Sequence, residues 1–293
     1  FPYTQLFRSE LVPSYMATVS PTAYAVVGGE SPYGTYVGLP TTYTPLQQGN
    51  FTYSTDYMGS GGYQSPIGLL PEHDVLYLTT TAPVAYGAVV RNGYSAGRYA
   101  IHYRDETTNR PLKFSRYPNL CLSDGSGVKD NGSSTTSDYT PTVSGATVPM
   151  WDPAHSPSVG FMAYLLTGRL YFMEEVQFAA TLHFLWNTDS AARRNGSDGL
   201  LHPYPGAVQT RSSAWALRTL FQALAITPDD DTELRPELKN SVEANIADFY
   251  ATYITQPNNP FGLIEPAGNY GRDSGYTASP WMQDFATAAF GYG

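Results

Sequence analysis

The pattern of apolar and polar positions changes near residue 66. Before it, short apolar pieces such as Tyr24-Ala25-Val26-Val27 are broken by Gly-Gly and Ser-Pro signals, with no helical period. Residues 1–65 therefore read as irregular structure with few short strands. After it, helical spacing takes over. Pro71-Glu72-His73-Asp74 puts proline and acids where a helix prefers to begin, and the segment runs to Leu78. Thr79-Thr80-Thr81 interrupts it, and Pro83 opens a second helix through Val84, Ala88 and Val89. The plan returns about 88 residues later, with Ser158 to Leu166 helical, a turn at Thr167-Gly168, and Leu170 to Trp186 helical. A third copy runs from Ala207 to Ala225, turns at Thr227-Pro228-Asp229-Asp230, and continues from Pro236 to Tyr253. A fourth starts at Ser279. Three helical hairpins and a half are the pattern of a solenoid or a closed toroid.

The helices differ in what they should bury. Segment 170–186 is apolar almost all round and is expected to be enclosed on most sides. Segment 236–253 is amphipathic, with Leu238, Val242, Ile246, Phe249 and Tyr253 read as one stripe. An inner and an outer ring of helices accounts for that difference; an open superhelical repeat is the other arrangement. The expected fold is mainly α: a toroid-like, incomplete helical-hairpin domain over 66–293. Residues 1–65 are expected to pack on that body, because their scattered apolar residues build no core of their own. Segment 92–157 is a long connection rich in Asn, Gly, Ser and Thr, and such loops are usually functional or disordered.

Composition narrows the class. Only 14% of the 293 residues are charged, against about 25% in an average soluble domain. Aromatic residues also make up 14%, including 24 tyrosines, which rules out a disordered acidic tail. A net charge of −9 leaves nothing to neutralise phosphates in bulk, so a nucleic-acid partner is not expected. The lone Cys121 excludes a disulfide framework, and no apolar run reaches the length of a membrane span. Phe1-Pro2-Tyr3 resembles neither a signal peptide nor an initiator start, so the chain reads as processed or as a piece of something longer. Sequons stand at Asn50, Asn131 and Asn195.

Five segments carry a family likeness: Ile67-Gly68-Leu69-Leu70-Pro71, His102-Tyr103-Arg104-Asp105, Trp151-Asp152-Pro153-Ala154-His155-Ser156-Pro157, Tyr164-Leu165-Leu166-Thr167-Gly168, and Ala214-Trp215-Ala216-Leu217-Arg218-Thr219-Leu220. They resemble a group of large bacterial and phage proteins with helical-hairpin domains. The architecture is similar to the six-hairpin, or (α/α) toroid, proteins, which include polysaccharide lyases and inverting glycosidases. The resemblance covers residues 66–293. A complete six-hairpin toroid has twelve helices, whereas about seven are legible here. The resemblance implies that a His or Tyr removes the proton alpha to a uronate carboxylate while Asn, Gln or Arg stabilises the carbanion. His155, His202 and Tyr204 are the candidates for the catalytic role.

Helical arithmetic supplies the candidate binding residues. Arg211, Arg218 and Gln222 are separated by offsets that return to within about 20° of one line, and Trp215 lies beside it. Two guanidiniums, an amide and an indole on one stripe suit an anionic sugar. The alternative is that these arginines cap loops or pair with acids such as Asp229 and Asp284. Arg104 and Trp281 complete the set of expected substrate contacts. Glu174 and Glu175 lie in the apolar helix, where a buried carboxyl can serve as a general acid or simply bond neighbouring backbone. No metal or nucleotide motif is present, and no cofactor is expected; His183 and Asn187 form only a weak pair.

These readings lead to an extracellular protein that binds or cleaves a polysaccharide, located outside the cell, on its surface or on a virion. The rival is a non-catalytic subunit of a virion or cell-surface assembly, held by homo- or hetero-contacts.

Overall fold

The computed structural model describes residues 11–12, 30–31, 34–35, 68–81, 83–98, 101–118, 127–128, 134–135, 156, 158, 160–185, 199–201, 210–264 and 280–293. They are mainly α-helical. Sheet is confined to two-residue antiparallel pairs, Glu30–Ser31 with Gly34–Thr35 and Gly127–Val128 with Ser134–Thr135, and to a single bridge between Arg104 and Pro111. The expected boundary at residue 65 lies outside the described residues. By its internal contacts the chain forms two compact units, residues 1–100 with 144–176 and residues 101–143 with 177–293.

In the first unit, helix α1 (Glu72–Thr80) is followed by α2 (Pro83–Ser95), and α3 (Phe161–Thr167) by the start of α4 (Leu170–Leu185). Both expected turns are present and are built alike. Thr81 adopts a left-handed conformation and its N–H bonds the Tyr77 carbonyl; Gly168 does the same with the Tyr164 carbonyl. Just before these positions, the hydroxyls of Thr79 and Thr167 donate to the carbonyls four residues back, Val75 and Ala163. α3 begins at Phe161, with Gly160 as its N-cap, later than the expected Ser158. The Gly160 α-carbon lies against the Phe172 carbonyl, so α3 and α4 double back on each other. Tyr94 packs on Tyr171 and Phe172, with ring centres 5.5 and 4.8 Å away.

The second unit contains the remainder of α4, with every residue from Gln177 to Leu185 buried as its apolar pattern implies. It continues with α5 (Thr210–Ile226), α6 (Arg235–Phe249) extended by a π-helical turn (Tyr250–Ile254), and α7 (Pro280–Tyr292). The turn between α5 and α6 falls where Pro228–Asp231 places it, with the Asp231 N–H bonded to the Pro228 carbonyl. It is tied to loop 101–118 by Arg110–Asp231 and Lys113–Glu233 ion pairs and by Ser115 on Glu237.

The buried face of α6 differs from the expected stripe. Leu238, Ser241, Asn245 and Phe249 face inward, while Ile246 is 45% exposed. The reason is the chain segment Gly199–Leu201. Asn245 accepts the Leu201 N–H and donates to the Gly199 carbonyl, Ser241 donates to the same carbonyl, and Ser213 of α5 donates to the Leu201 carbonyl. A buried strip of peptide needs these partners. Two small polar residues therefore hold positions that hydrophobicity alone would give to Ile246.

Helices α5 and α7 run in the same direction. Arg211 meets Trp281, Trp215 meets Phe285, and Phe221 meets Gly293, so the contacts advance together along both helices. α5 is buried along nearly its whole length, and apolar side chains such as Leu217 and Leu220 each contribute roughly 1.5–3 kcal/mol by leaving water.

Candidate functional site

The parallel pairing of α5 and α7 sets their N-termini side by side. Arg211 is the second residue of α5 and Trp281 the second residue of α7. The Arg211 guanidinium carbon lies 6.0 Å from the centre of the Trp281 ring. Arg211 is buried and Trp281 half-buried, so the indole is the more accessible of the two. Each helix N-terminus presents backbone N–H groups without an intrahelical acceptor and carries partial positive charge. Two such ends, a guanidinium and an indole face together favour a ligand that combines an anion with an apolar ring face.

The expected stripe continues inward. Arg218 lies 4.9 Å from the Trp215 ring centre, its Nη2 reaches the Thr219 hydroxyl at 3.2 Å, and Trp215 stacks on Phe285 at 4.1 Å. Arg218 is 1% exposed, Gln222 is equally buried, and the Trp215 Nε1 is buried with no hydrogen-bond partner. Arg211, Arg218 and Gln222 each have further interactions. A buried guanidinium carries a desolvation penalty that stacking on indole only partly offsets. Of the two acids considered as partners, Asp229 pairs with Arg235 at 2.8 Å, and Asp284 is exposed. Among these described side chains, Trp281 is the one that is not buried.

Arg104 is exposed, but its guanidinium closes its own loop: it covers the Phe178 ring at 4.4 Å and donates to the Asn109 carbonyl. The adjoining Asp105 organises that loop. It accepts from the Thr107 hydroxyl and N–H, the Thr108 N–H and the Tyr117 hydroxyl, and it pairs with Arg116 at 2.8 Å. The Thr107 hydroxyl above all, with the other donors, holds its carboxyl well below the usual range against the opposing effect of burial.

His155, His202 and Tyr204 lie outside the described residues, as do Cys121 and the sequons at Asn50, Asn131 and Asn195. Among the acids, Glu175 and Asp74 are buried and Glu174 half-buried, all in the first unit. Asp74 stands 3.5 Å from the His73 ring nitrogen. Burial drives the His73 pKa down to about 3, so the ring is neutral near pH 7 and the contact is no salt bridge. Among the described residues no three His, Cys, Asp or Glu side chains come together as a metal site, and no helix is long and apolar enough to cross a membrane.

Sequence reasoning did not find Ser241 and Asn245, though their four-residue spacing inside an amphipathic helix is a readable signal. The meeting of Arg211 with Trp281 has no signal in either segment alone. The chain matches no protein-family model, no curated protein and no solved structure.

Proposed function

We propose that this chain recognises an acidic polysaccharide, with the paired N-termini of α5 and α7 as the binding end of a helical-hairpin domain. The observation that carries the reading is the juxtaposition of Arg211 and Trp281. A uronate sugar offers both a carboxylate for the guanidinium and helix ends and a ring face for the indole. The parallel course of α5 and α7 supports a toroid-like arrangement in which alternate helices share a direction. Arg218, stacked beneath Trp215, serves as a positioning residue for that end.

Whether the bound polymer is also cleaved depends on His155, His202 and Tyr204, which are the proposed proton-transfer groups. A polymer ligand of this kind places the protein outside the cell, on a cell surface or on a virion. The test is incubation with a panel of acidic and neutral polysaccharides, reading retention, new reducing ends and absorbance from unsaturated products. Retention by acidic polymers that falls tenfold or more in Arg211→Ala and Trp281→Ala supports the reading. Equal retention of both variants, or none by any acidic polymer, removes it.

A further inference from the structure

We propose that Tyr94 and Tyr171 are a modification site, at which one-electron oxidation joins the two rings as a covalent dityrosine staple between α2 and α4. Both residues belong to the first unit, and the proposal is independent of what binds at the α5–α7 end.

The two phenols are held together before any reaction. Their ring centres are 5.5 Å apart and their planes are 31° from parallel. The Tyr171 hydroxyl donates to the Tyr94 carbonyl at 3.2 Å, a bond between residues 77 apart in sequence. Phe172 packs on both rings, its centre 4.8 Å from that of Tyr94 and 5.4 Å from that of Tyr171. The exposed Arg169 donates to the Tyr94 hydroxyl, and its guanidinium carbon stands 5.7 Å from the centre of that ring. Two reactants fixed side by side need no encounter in solution, which favours the coupling of short-lived radicals.

Both rings are half-buried, so they retain surface that an oxidant in water can reach. Gly97, in the turn Ala96–Arg98 that follows α2, is exposed, and a side-chain carbon built on it would stand 2.5 Å from the Tyr171 hydroxyl. With glycine there, this residue leaves the phenol oxygen uncovered. Another described pair, Tyr77 and Tyr86, is farther apart at 5.9 Å and more steeply tilted at 56°. The 293 residues hold one cysteine, so no disulfide joins any two of them, and a tyrosine pair is a covalent link that this composition leaves open.

The oxidant is hydrogen peroxide acting through a haem peroxidase. Each phenol gives one electron to the peroxidase and its hydroxyl proton to water. The two tyrosyl radicals form a carbon–carbon bond between ring positions ortho to the hydroxyls. Each of those carbons then loses its hydrogen as a proton while the oxygen on the same ring regains one. The pair has lost two hydrogen atoms, and one hydrogen peroxide has become two waters. The staple closes a loop between residues 77 apart and withdraws that freedom from the unfolded chain, which stabilises the fold.

The test treats the full chain with a haem peroxidase and equimolar hydrogen peroxide, isolates the monomer, and maps its peptides by mass. We expect two peptides joined through Tyr94 and Tyr171, lighter by two hydrogen atoms than the separate pair. The oxidised monomer should fluoresce as dityrosine and melt at a higher temperature than the untreated chain. Tyr94→Phe and Tyr171→Phe should each lose the joined peptide, most of the fluorescence and the gain in melting temperature, while Tyr77→Phe keeps all three. The mapping of the wild type stands whether or not a variant folds. Absence of the joined peptide from the oxidised monomer overturns the proposal. So does a larger yield of a link between Tyr77 and Tyr86, a Tyr171→Phe monomer as fluorescent as the wild type, or a joined chain that melts no higher than the untreated one.

Discussion

The side-chain oxygen of Asn245 accepts the backbone N–H of Leu201 at 2.7 Å, and its amide donates to the Gly199 carbonyl at 3.0 Å. One fully buried side chain thus bonds two peptide groups of the strip; the Gly199 carbonyl is shared with Ser241, while the Leu201 N–H relies on Asn245. Asn245→Ala is expected to lower unfolding free energy by about 1–3 kcal/mol, the cost of leaving one buried group unpaired. Asn245→Asp, which keeps the acceptor and loses the donor, should fall between. Denaturant melts of the three proteins check this ordering; equal midpoints would contradict it.

The two arginines of the α5 stripe should behave differently. Arg218 is among the largest fully buried side chains, so Arg218→Ala opens a void beneath Trp215. We expect it to lower stability by about 2–4 kcal/mol. Arg211, buried but standing at the first turn of α5 against the half-buried Trp281, should cost less than Arg218 on replacement by Ala. Thermal melts that rank the variants the other way would count against this division of roles.

Two glycines with positive φ make a contrast. Gly168 (φ 65°) has nothing within 4 Å of a built side chain, so Gly168→Ala should cost only the left-handed backbone strain, roughly 1–2 kcal/mol. Gly160 (φ 81°) adds a contact of 2.8 Å with the Phe172 carbonyl, so Gly160→Ala should be clearly worse. Comparable melts for the two variants would show that α3 and α4 do not meet as described.

His73 gives a pH dependence with a definite sign. Its pKa is lowered to about 3 by burial, so below about 6.5 the unfolded chain takes up a proton that the folded chain refuses. Stability should therefore fall as pH drops from about 6.5 towards 3, by up to about 1.4 kcal/mol per unit from this residue. Asp105 adds to the loss only below about pH 4, where its unfolded carboxyl protonates while the folded one is still held ionised. His73→Gln should flatten the slope between pH 6 and about 4. An unchanged slope in that variant would assign the effect elsewhere.

Much of the fold was legible because its helices carry local punctuation. Pro83, Gly168 and the Thr227–Asp231 turn mark boundaries by chemistry that acts within a few residues, and the boundaries fall there. The apolar pattern of 170–186 announced the burial of Gln177–Leu185 for the same reason, while Leu170 at its start is exposed. Ile246 was misplaced because the inward face of α6 is chosen by peptide groups some 44 residues away in sequence. The π-helical turn at Tyr250–Ile254 likewise has no local signature. The stripe from Arg211 to Gln222 follows from helical geometry alone. Its depth does not: nothing in the segment tells that Arg218 is enclosed while Arg211 reaches Trp281.

The central claim is that Arg211 and Trp281 together bind the carboxylate-bearing ring of an acidic sugar. The most direct measurement is the affinity of a uronic-acid oligosaccharide, and of its carboxyl-reduced neutral counterpart, for the wild type and for Arg211→Ala by titration calorimetry. A charge-assisted contact worth about 1.5–3 kcal/mol means at least a tenfold weaker affinity of Arg211→Ala for the acidic form. The neutral form should bind the two proteins alike, and added salt should narrow the difference on the acidic one. Equal affinity of both proteins for the acidic oligosaccharide, or an equal loss on its neutral counterpart, would contradict the claim.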